Sequence, residues 1–390
     1  MVAAAVLDQL LAPVSAPIVV PPVPVRVPYI DFKAQYAEER EEIHSIVDRV
    51  FGKGDFIAGQ AVAELETALA ARCGVKHAVA LASGTDALIL ALKALNIGPG
   101  DEVITAPNSF VASTACIAHV GATPVFVDVL SDQNIDPYRI ESVITPRTKA
   151  ILPVHLTGRV AEMDAINAIA QRYGLYVIED AAQAIGSKYR GRPAGSLGTV
   201  GCFSTHPLKN LNAAGDGGFL TTNDDQAAAR IRRLRNHGML DRDTVVEWGV
   251  VSRMDTLQAA ILNLRLAKLD TVSARRRANA DRYRALLDAR HVYIPPLRVH
   301  GFDTFHTFVV QVDRRDALRA HLLSQGIETF VHYPVPIHLQ AAAQGLGYRR
   351  GSFPIAEEQA GRILTLPIHQ YLKPAQIEFV ADAVNAFYRE

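Results

Sequence analysis

Cysteine, tryptophan and an excess of one charge are the scarce features of this 390-residue sequence. It has one tryptophan and only three cysteines, at Cys73, Cys116 and Cys202. Such widely spaced cysteines, without a Cys-x-x-Cys or Cys/His pair, argue against a disulfide scaffold and against a zinc site. They are typical of a reducing compartment, so the sequence predicts a cytoplasmic protein without a metal centre.

Net charge is absent as well, because 40 basic residues are matched by 40 acidic residues. We therefore expect no general attraction to nucleic acid or to an anionic membrane surface. The predicted helix Ser273–Arg290 is rich in arginine but not in aromatic residues, which favours a solvated helix face over a nucleic-acid patch. No segment approaches the roughly 18 to 20 apolar residues needed to span a bilayer.

The first 28 residues are rich in alanine, valine and proline. They lack the basic start of a signal peptide, and Asp8 interrupts their main apolar run. Repeated prolines favour an extended chain, so we predict a flexible N-terminal arm over residues 1–28. Two interpretations stay open for it: a leader without a function, or an arm that crosses onto a second subunit.

Short apolar segments alternate with helical patterns through the next part of the chain. Strands are predicted at His77–Ala82, Glu102–Ala106, Thr123–Val127, Ala150–His155, Leu175–Glu179, Val200–Ser204 and Gly218–Thr222. Helices are predicted between them, among them Phe110–His119, Tyr138–Ile144 and Met163–Tyr173. This alternation predicts an α/β fold with a mostly parallel sheet covered by helices on both faces.

The rhythm fades after a predicted helix at Asp255–Leu269. Beyond it we predict two further helices after Ser273–Arg290, at Asp316–Gln325 and Pro374–Arg389, and strand-like segments at Thr304–Val312 and Glu328–Tyr333. The chain is thus expected to form a large domain over residues 29–270 and a smaller α+β domain over residues 271–390.

Three local patterns are candidates for chemistry. Ser83-Gly84-Thr85 ends a strand and opens a helix, where backbone N–H groups can bind a phosphate, although the same tripeptide is an ordinary helix-capping turn. Asp180 ends an apolar strand; it could pair with a protonated pyridine nitrogen or simply cap the following segment. Lys209 follows Ser204 between two strands and could form a Schiff base with a carbonyl cofactor, or be a surface lysine.

The order of these patterns resembles the DegT/DnrJ/EryC1/StrS family of pyridoxal-phosphate-dependent sugar aminotransferases, which have fold type I. The resemblance covers about residues 28–388. It rests on ordered motifs that include ASGTDALILALKAL, GPGDEVITAPNSFVAS, GATPVFVDV, VIEDAAQAIGSKYRGRPAGSLG, FSTHPLKNL with GDGG, RLRNHG, RMDTLQAAIL and HYPVPIHLQ.

The resemblance implies pyridoxal 5'-phosphate as the cofactor and assigns roles to individual residues. Lys209 would bind the cofactor covalently and move the proton of the substrate. The other implied contacts are Gly84, Thr85 and Ser204 to the phosphate, Phe110 to the ring face, Asp180 to the ring nitrogen and Gln183 to the ring 3-hydroxyl. Asn236 would reach the phosphate in the neighbouring subunit, so that a homodimer shares its active sites.

Substrate contacts are less clearly marked. His206, His332, Tyr333 and His338 are candidates for them, and His155 is a further cleft candidate; each could equally be a turn or packing residue. The chain departs from the family where Val250-Val251 replaces an aromatic residue and an asparagine, and where Thr157 replaces a tyrosine. Both changes indicate altered substrate recognition.

We therefore expect an aminotransferase that carries an amino group, from L-glutamate by resemblance, to a keto sugar linked to a nucleoside diphosphate. Two alternatives stay open: the same chemistry on a keto sugar phosphate or an inosose, and a regulatory relative that binds the cofactor without turnover. Some members of the family have histidine in place of the lysine and act as dehydratases. Lys209 argues against that branch.

Overall fold

The structure is a computed structural model and describes residues 24–389. Most of the predicted N-terminal arm lies outside these residues, and for residues 1–23 it stays a prediction. The end of the arm is not loose, however. Val27 is buried, and it forms a bridge with Ile327. The folded part of the chain therefore includes Val27, while the division of the chain at residue 28 stays a prediction.

Thirteen strands and ten α-helices make up the described chain. The strands are β1 (His77–Leu81), β2 (Glu102–Thr105), β3 (Thr123–Phe126), β4 (Thr148–Leu152), β5 (Tyr176–Asp180), β6 (Lys188–Tyr189), β7 (Arg192–Pro193), β8 (Val200–Ser204), β9 (Gly218–Thr222), β10 (Val292–Tyr293), β11 (Gly301–Phe302), β12 (Phe308–Val312) and β13 (Ile363–Leu366). The helices are α1 (Phe32–Lys53), α2 (Gln60–Cys73), α3 (Gly84–Ala94), α4 (Ala112–His119), α5 (Met163–Tyr173), α6 (Asp225–Leu234), α7 (Thr256–Leu286), α8 (Arg315–Ser324), α9 (Pro354–Arg362) and α10 (Pro374–Phe387).

Seven strands form the central sheet, in the order β1-β9-β8-β5-β4-β2-β3. Strand β9 runs antiparallel to both of its neighbours, and the other pairings in the sheet are parallel. This confirms the predicted α/β fold with a mostly parallel sheet. The parallel strands end on one edge, so residues that follow them are brought together.

Buried apolar residues cover both faces of this sheet. On one face, Leu65 and Leu69 of α2 pack with Ile166 of α5 and Leu262 of α7. On the other face, residues of α3, α4 and α6 pack against alternate strand positions, among them Leu88. Successive side chains of a strand point to opposite faces, which is why both layers need helices.

A second, smaller layer lies beyond the central sheet. Strands β10, β12 and β13 form an antiparallel sheet, and its core includes Tyr283, Phe308, Leu318 and Val380. Its apolar residues come from the end of α7, from α8 and from α10. The division of the chain into domains at residue 270 stays a prediction, because α7 runs through that position without interruption.

Three sequence-based predictions of local structure were wrong. The segment Tyr138–Ile144 forms two short 3-10 turns, Pro137–Arg139 and Glu141–Val143, and not an α-helix. The two helices predicted on either side of residue 270 are a single helix of 31 residues. The strand predicted over Glu328–Tyr333 is reduced to one isolated bridge, at Phe330 with Thr365.

Between residues 24 and 389, no helix combines the length and the apolar character that a membrane span requires. In the same part of the chain, no cluster of three or more His, Cys, Asp or Glu side chains could hold a metal ion.

Candidate active site

A cavity of about 420 Å³ opens at the carboxyl edge of the parallel strands. This volume is within the range of small-molecule sites, about 300 to 1,000 Å³. Its walls bring together ten of the twelve site residues named from the sequence: Gly84, Thr85, Phe110, Asp180, Gln183, Ser204, His206, Lys209, His332 and Tyr333. Residues that are far apart in the chain therefore meet at one place.

The start of α3 forms one corner of the cavity. Ser83 caps the helix, because its Oγ accepts a hydrogen bond from the Asp86 backbone N–H at 3.0 Å. Glycine at position 84 is required by close packing, since a Cβ there would lie 2.7 Å from the Cβ of Ser204. The helix N-terminus and the Ser204 hydroxyl thus lie side by side, an arrangement that suits a phosphate group.

Asp180 lies at the end of β5 and is buried. Its Oδ2 accepts a hydrogen bond from the Ser113 hydroxyl at 2.6 Å, and its Oδ1 accepts one from the Ala182 backbone N–H at 3.1 Å. Both bonds give the buried carboxylate oxygens partners, which compensates part of the cost of burying this polar group. The carboxylate is therefore held in one orientation at the cavity wall.

Lys209 lies in a turn after β8, closed by its own backbone N–H, which donates to the His206 carbonyl at 2.8 Å. The next residue anchors this turn, because the Asn210 side-chain amide donates to the Thr304 carbonyl at 3.0 Å. Burial lowers the pKa of the Lys209 amine to about 8, and the nearby Asp180 opposes this shift. An amine with such a pKa is partly uncharged near neutral pH, as a nucleophile must be.

Three histidines, His206, His306 and His332, line the cavity with Lys209. Burial lowers the pKa of His332 to about 4, and that of His306 well below its usual value; Lys209 contributes in both cases. Burial and Lys209 also lower the pKa of His206. All three imidazoles are therefore neutral at neutral pH and can form hydrogen bonds without adding charge beside Lys209.

An aromatic surface completes the cavity. Phe110 lines it with 55% of its surface exposed, and its ring centroid lies 5.9 Å from that of Tyr333.

Gln183 is oriented by the Thr157 backbone N–H, which donates to its Oε1 at 2.7 Å. Thr157, one of the two departures from the family, thus contacts a cavity residue through its backbone.

Two of the residues named from the sequence lie elsewhere. His338 is buried, and its Nε2 is 2.9 Å from a carboxylate oxygen of Glu357, so the structure does not bring it to the cavity. Asn236 accepts a hydrogen bond from Arg253 at 3.0 Å and pairs with Val251 in an isolated bridge outside the cavity. For Asn236, a contact with a second subunit stays a prediction.

His155, the further cleft candidate, is also packed inside the protein. Its Nδ1 accepts a hydrogen bond from the Ala161 backbone N–H at 3.2 Å, and its Nε2 lies 2.9 Å from Glu179. Both ring nitrogens are occupied and the side chain is fully buried. The packing interpretation of His155 is correct.

The sequence reasoning missed Ser113 and His306. Ser113 is inside α4, where a serine has no distinctive local pattern, and only the fold shows that it donates to Asp180. His306 lies in a loop before β12 and is more than 90 positions along the chain from Lys209. Neither residue could be linked to the site by spacing alone.

The donor set around the cavity fits pyridoxal 5'-phosphate. A helix N-terminus and a hydroxyl suit its phosphate, a buried carboxylate suits its ring nitrogen, and an amine with a lowered pKa suits its aldehyde. The glycine at position 84 leaves the backbone free to approach that phosphate.

Known proteins agree with this arrangement. The profile described as the DegT/DnrJ/EryC1/StrS aminotransferase family matches residues 37–385. The chain belongs to this family. A dTDP-3-amino-3,4,6-trideoxy-alpha-D-glucose transaminase from Streptomyces venezuelae is 44% identical, over 92% of this chain and 96% of its own length. A UDP-2-acetamido-2-deoxy-3-oxo-D-glucuronate aminotransferase from Pseudomonas aeruginosa is 41% identical, over 92% of this chain and 99% of its own length.

Solved structures extend the agreement to the fold. The S. venezuelae protein DesV, solved in complex with a ketimine intermediate, superposes with a TM-score of 0.92 at 44% identity, covering 94% of this chain and 100% of that chain. The fold and family predictions are thereby confirmed. The protein is a DegT-family aminotransferase that depends on pyridoxal phosphate.

Proposed function

We propose that this aminotransferase aminates a keto sugar carried on a nucleoside diphosphate, with L-glutamate as the amino donor, in amino-sugar biosynthesis. The observation that carries the proposal is the meeting of Lys209, Asp180 and the α3 N-terminus in one cavity. The names of the dTDP-sugar and UDP-sugar relatives support the substrate class.

Lys209 is the residue assigned to proton transfer. Bound pyridoxal phosphate supplies an electron sink that stabilises negative charge at the carbon bearing the amine. The Lys209 amine removes a proton from that carbon of the donor and returns a proton to the former carbonyl carbon of the sugar. A pKa of about 8 lets the same amine act as base and as acid near neutral pH.

The other residues of the cavity are assigned to holding and orienting the cofactor and the sugar. The Asp180 carboxylate, which is fixed by Ser113, would pair with the ring nitrogen and keep it protonated. Gly84, Thr85 and Ser204 would hold the phosphate, Phe110 would cover the ring, and Gln183 would contact the 3-hydroxyl. His206, His332 and Tyr333 offer neutral hydrogen-bonding groups to the hydroxyls of the sugar.

A substrate screen tests the proposal. The enzyme is first converted to its pyridoxamine form and then mixed with four ketones: a dTDP-keto sugar, a UDP-keto sugar, a keto sugar phosphate and an inosose. Return of the visible absorbance of the aldehyde form reports amination. We expect the nucleotide-linked ketones to react fastest. Reaction with the sugar phosphate or the inosose alone would overturn the proposed substrate class and support the aminocyclitol alternative.

We also propose a homodimer in which each site is completed by Asn236 of the second copy. The segment that includes Asn236 presents exposed apolar side chains, among them Leu240, Val246 and Trp248, the last with 89% of its surface exposed. Large exposed apolar residues that lie together are typical of an interface.

Asn236→Ala tests the shared site. Loss of its amide should weaken retention of the cofactor several-fold during dialysis, because one hydrogen bond to the phosphate is removed. Asn223→Ala, on the exposed turn before α6, is the control. Unchanged retention in Asn236→Ala, or a monomer by light scattering, would contradict the proposal.

A cytoplasmic location is proposed on the state of the cysteines. Cys73, Cys116 and Cys202 are all free and buried, and burial raises the pKa of Cys73 to about 12. Such thiols are stable in a reducing compartment. Recovery of the protein in the periplasmic or secreted fraction of its host would contradict this location.

A further inference from the structure

A small recess lies behind the histidine wall of the active site. It is lined by Tyr29, Ile30, Leu208, Arg276, His306, His332, Ile368 and His369 and has a volume of about 20 Å³. It shares Leu208, His306 and His332 with the large cavity, so only these side chains separate the two spaces. We refer to this space as the Arg276 recess.

Arg276 is the unusual residue of the recess. It is buried in the middle of α7, yet it forms no ion pair with any residue between 24 and 389. Its Nη1 donates to the carbonyls of Phe305 and His306, at 3.2 and 3.1 Å, and its Nε donates to the Gln370 side chain at 3.2 Å. Its Nη2 donates to none of the described residues.

A buried guanidinium without an anion is costly. Burial lowers the pKa of Arg276 to about 10, and the titratable groups that oppose this shift are two tyrosines, Tyr29 and Tyr371, and no carboxylate. Arginine is usually buried together with a carboxylate or a phosphate, which its planar fork can bind through two hydrogen bonds. An anion would therefore compensate the charge of Arg276 better than the neutral groups that now surround it.

Other polar atoms of the recess also lack partners. His369 is buried; its Nδ1 accepts from the Tyr371 backbone N–H at 3.3 Å, so its proton is on Nε2, which has no hydrogen-bond partner among the described residues. The Pro28 carbonyl slightly raises the pKa of His369. Its position does not, however, meet the geometry of a normal hydrogen bond to the ring nitrogen. The Nδ1 of His306 is likewise buried and unpaired. Buried polar atoms normally have partners, so these two imidazole nitrogens, together with the free Nη2 of Arg276, favour a polar ligand in the recess.

The large cavity needs an anion-binding group that its own wall lacks. An amino acid donor enters with at least one carboxylate, yet no arginine is among the described residues of the cavity wall, and Lys209 is assigned to proton transfer. The Arg276 recess is the adjacent source of positive charge. It is small, but Leu208, which lines both spaces, is 39% exposed.

We propose that Arg276 is the carboxylate receptor for the amino donor, and that a donor carboxylate enters the Arg276 recess when the side chain of Leu208 moves. This inference rests on the proposed function, of which it specifies the donor site. The planar carboxylate would accept hydrogen bonds from the guanidinium, and His306 and His369 would supply further contacts. The keto sugar makes no use of the recess.

Arg276→Gln tests the proposal, with glutarate as a probe that has both carboxylates and no amine. Calorimetry on the cofactor-loaded protein should show glutarate binding at least about 30-fold weaker in the variant, the usual effect of removing one partner of a buried charge pair. Conversion to the pyridoxamine form by L-glutamate should lose a similar factor in kcat/KM.

Arg277→Gln is the matched control. Arg277 follows Arg276 on the same helix, donates to the Asp303 carbonyl of the same loop at 2.9 Å, and lies over the Phe302 ring, but it does not line either cavity. It should bind glutarate as the wild type does. A similar loss in both variants would show that loop anchoring, and not carboxylate binding, is the role of Arg276, and would overturn the proposal.

Donors that lack one carboxylate identify the end that is bound. L-Glutamine has no side-chain carboxylate, and 4-aminobutyrate has none on the carbon that bears the amine. In the wild type, one of these two donors should react more slowly than L-glutamate because it lacks the carboxylate that Arg276 binds. In Arg276→Gln, that donor should react as fast as L-glutamate. If neither penalty depends on Arg276, or if the recess holds only a water molecule so that glutarate binds both proteins equally, the proposal is wrong.

Two further measurements keep the test decisive. If Arg276→Gln does not fold, Arg276→Lys can replace it. Lysine retains the charge without the planar fork, so glutarate binding should be weakened to an intermediate degree. A wild type that does not prefer L-glutamate over either analogue would overturn the proposal without any variant. In Arg276→Gln, amination of the keto sugar by the pyridoxamine form should be slowed less than the half-reaction with L-glutamate, because the keto sugar lacks the carboxylate that Arg276 binds. Failure of that step in the wild type would count against the proposed function and not against the donor site.

Discussion

The two walls of the active-site cavity are built in different ways. The wall from the central sheet carries Asp180 and Ser204 at the ends of β5 and β8, and each is fixed by neighbouring backbone or side chains. The opposite wall carries His306 and His332 on loops between elements of the smaller layer, and the unpaired Arg276 lies behind it. The polar groups of the first wall are held by hydrogen bonds, whereas the second wall includes buried polar atoms without partners among the described residues.

This difference corresponds to two tasks. A cofactor that stays bound through the reaction is best held by groups that do not move, and strand ends and a helix N-terminus provide them. Two substrates that enter in turn need groups that are free to change partners. Neutral imidazoles and an unpaired guanidinium satisfy that need, because they offer hydrogen bonds that no other residue already uses.

We call the wall from the central sheet the cofactor wall and the opposite wall the substrate wall. The largest expected effect on activity comes from Lys209→Ala, beside the cofactor wall. Transamination should fall by at least about a thousand-fold, because the covalent attachment and the proton transfer are both lost. Borohydride reduction should no longer fix the cofactor to the protein. Unfolding should occur at the wild-type temperature or above it, since the residue removed is an amine that is costly to desolvate. Lys188→Ala, on the exposed strand β6, is the control, and transamination that persists in Lys209→Ala would contradict the assignment.

Asp180→Asn should have the next largest effect, about a hundred-fold in kcat, because the amide cannot keep the ring nitrogen protonated. The variant also makes a prediction about pH. In the cofactor-free protein, capture of pyridoxal phosphate requires the uncharged amine, so its rate should rise with pH through about 8 in the wild type. Asp180 raises the pKa of Lys209, so its neutralisation should move this rise to lower pH. A rise that stays in place, or moves to higher pH, would show that the two groups are not coupled.

His338→Ala should have the smallest effect on activity. His338 is buried against Glu357, at 2.9 Å, and against the Phe353 ring, outside the cavity. Loss of the imidazole should lower the free energy of unfolding by about 1 to 3 kcal/mol and leave the KM for both substrates unchanged. Urea denaturation and steady-state kinetics distinguish a packing role of His338 from a substrate contact. His44→Ala, on the exposed surface of α1, is the reference. A raised KM at wild-type stability would return His338 to the list of substrate contacts.

The cofactor wall could be predicted from the sequence because each of its residues is part of a local pattern. Ser83-Gly84-Thr85, Asp180 and Ser204 each stand at the end of an apolar run, and a parallel sheet brings such ends to one edge. The residues of the substrate wall do not follow strand ends, so their positions could not be predicted in this way. His306 precedes β12 in a loop whose position depends on Arg276 and on the Gly158 region, and no local pattern in the sequence specifies those long-range contacts.

Errors in local structure have similar causes. The segment Tyr138–Ile144 has a helical spacing of apolar residues, but Pro137 and the hydrogen bonds of Asp136 fix short 3-10 turns instead. The apolar run before Tyr333 reads as a strand, yet only Phe330 pairs with β13. For His338 the sequence leaves a substrate contact and a packing role open, and the structure places its ring against Glu357.

Helix α7 has a further consequence for how the protein can be divided. Its 31 residues form a rod of about 46 Å. Leu262 and Leu269, in its first half, pack in the core of the central sheet, while Ala280 and Tyr283, in its second half, pack in the core of the smaller layer. A fragment that ends at residue 270 would keep the first core and lose the strut that joins it to the second. We therefore expect that neither half would fold as a self-sufficient unit.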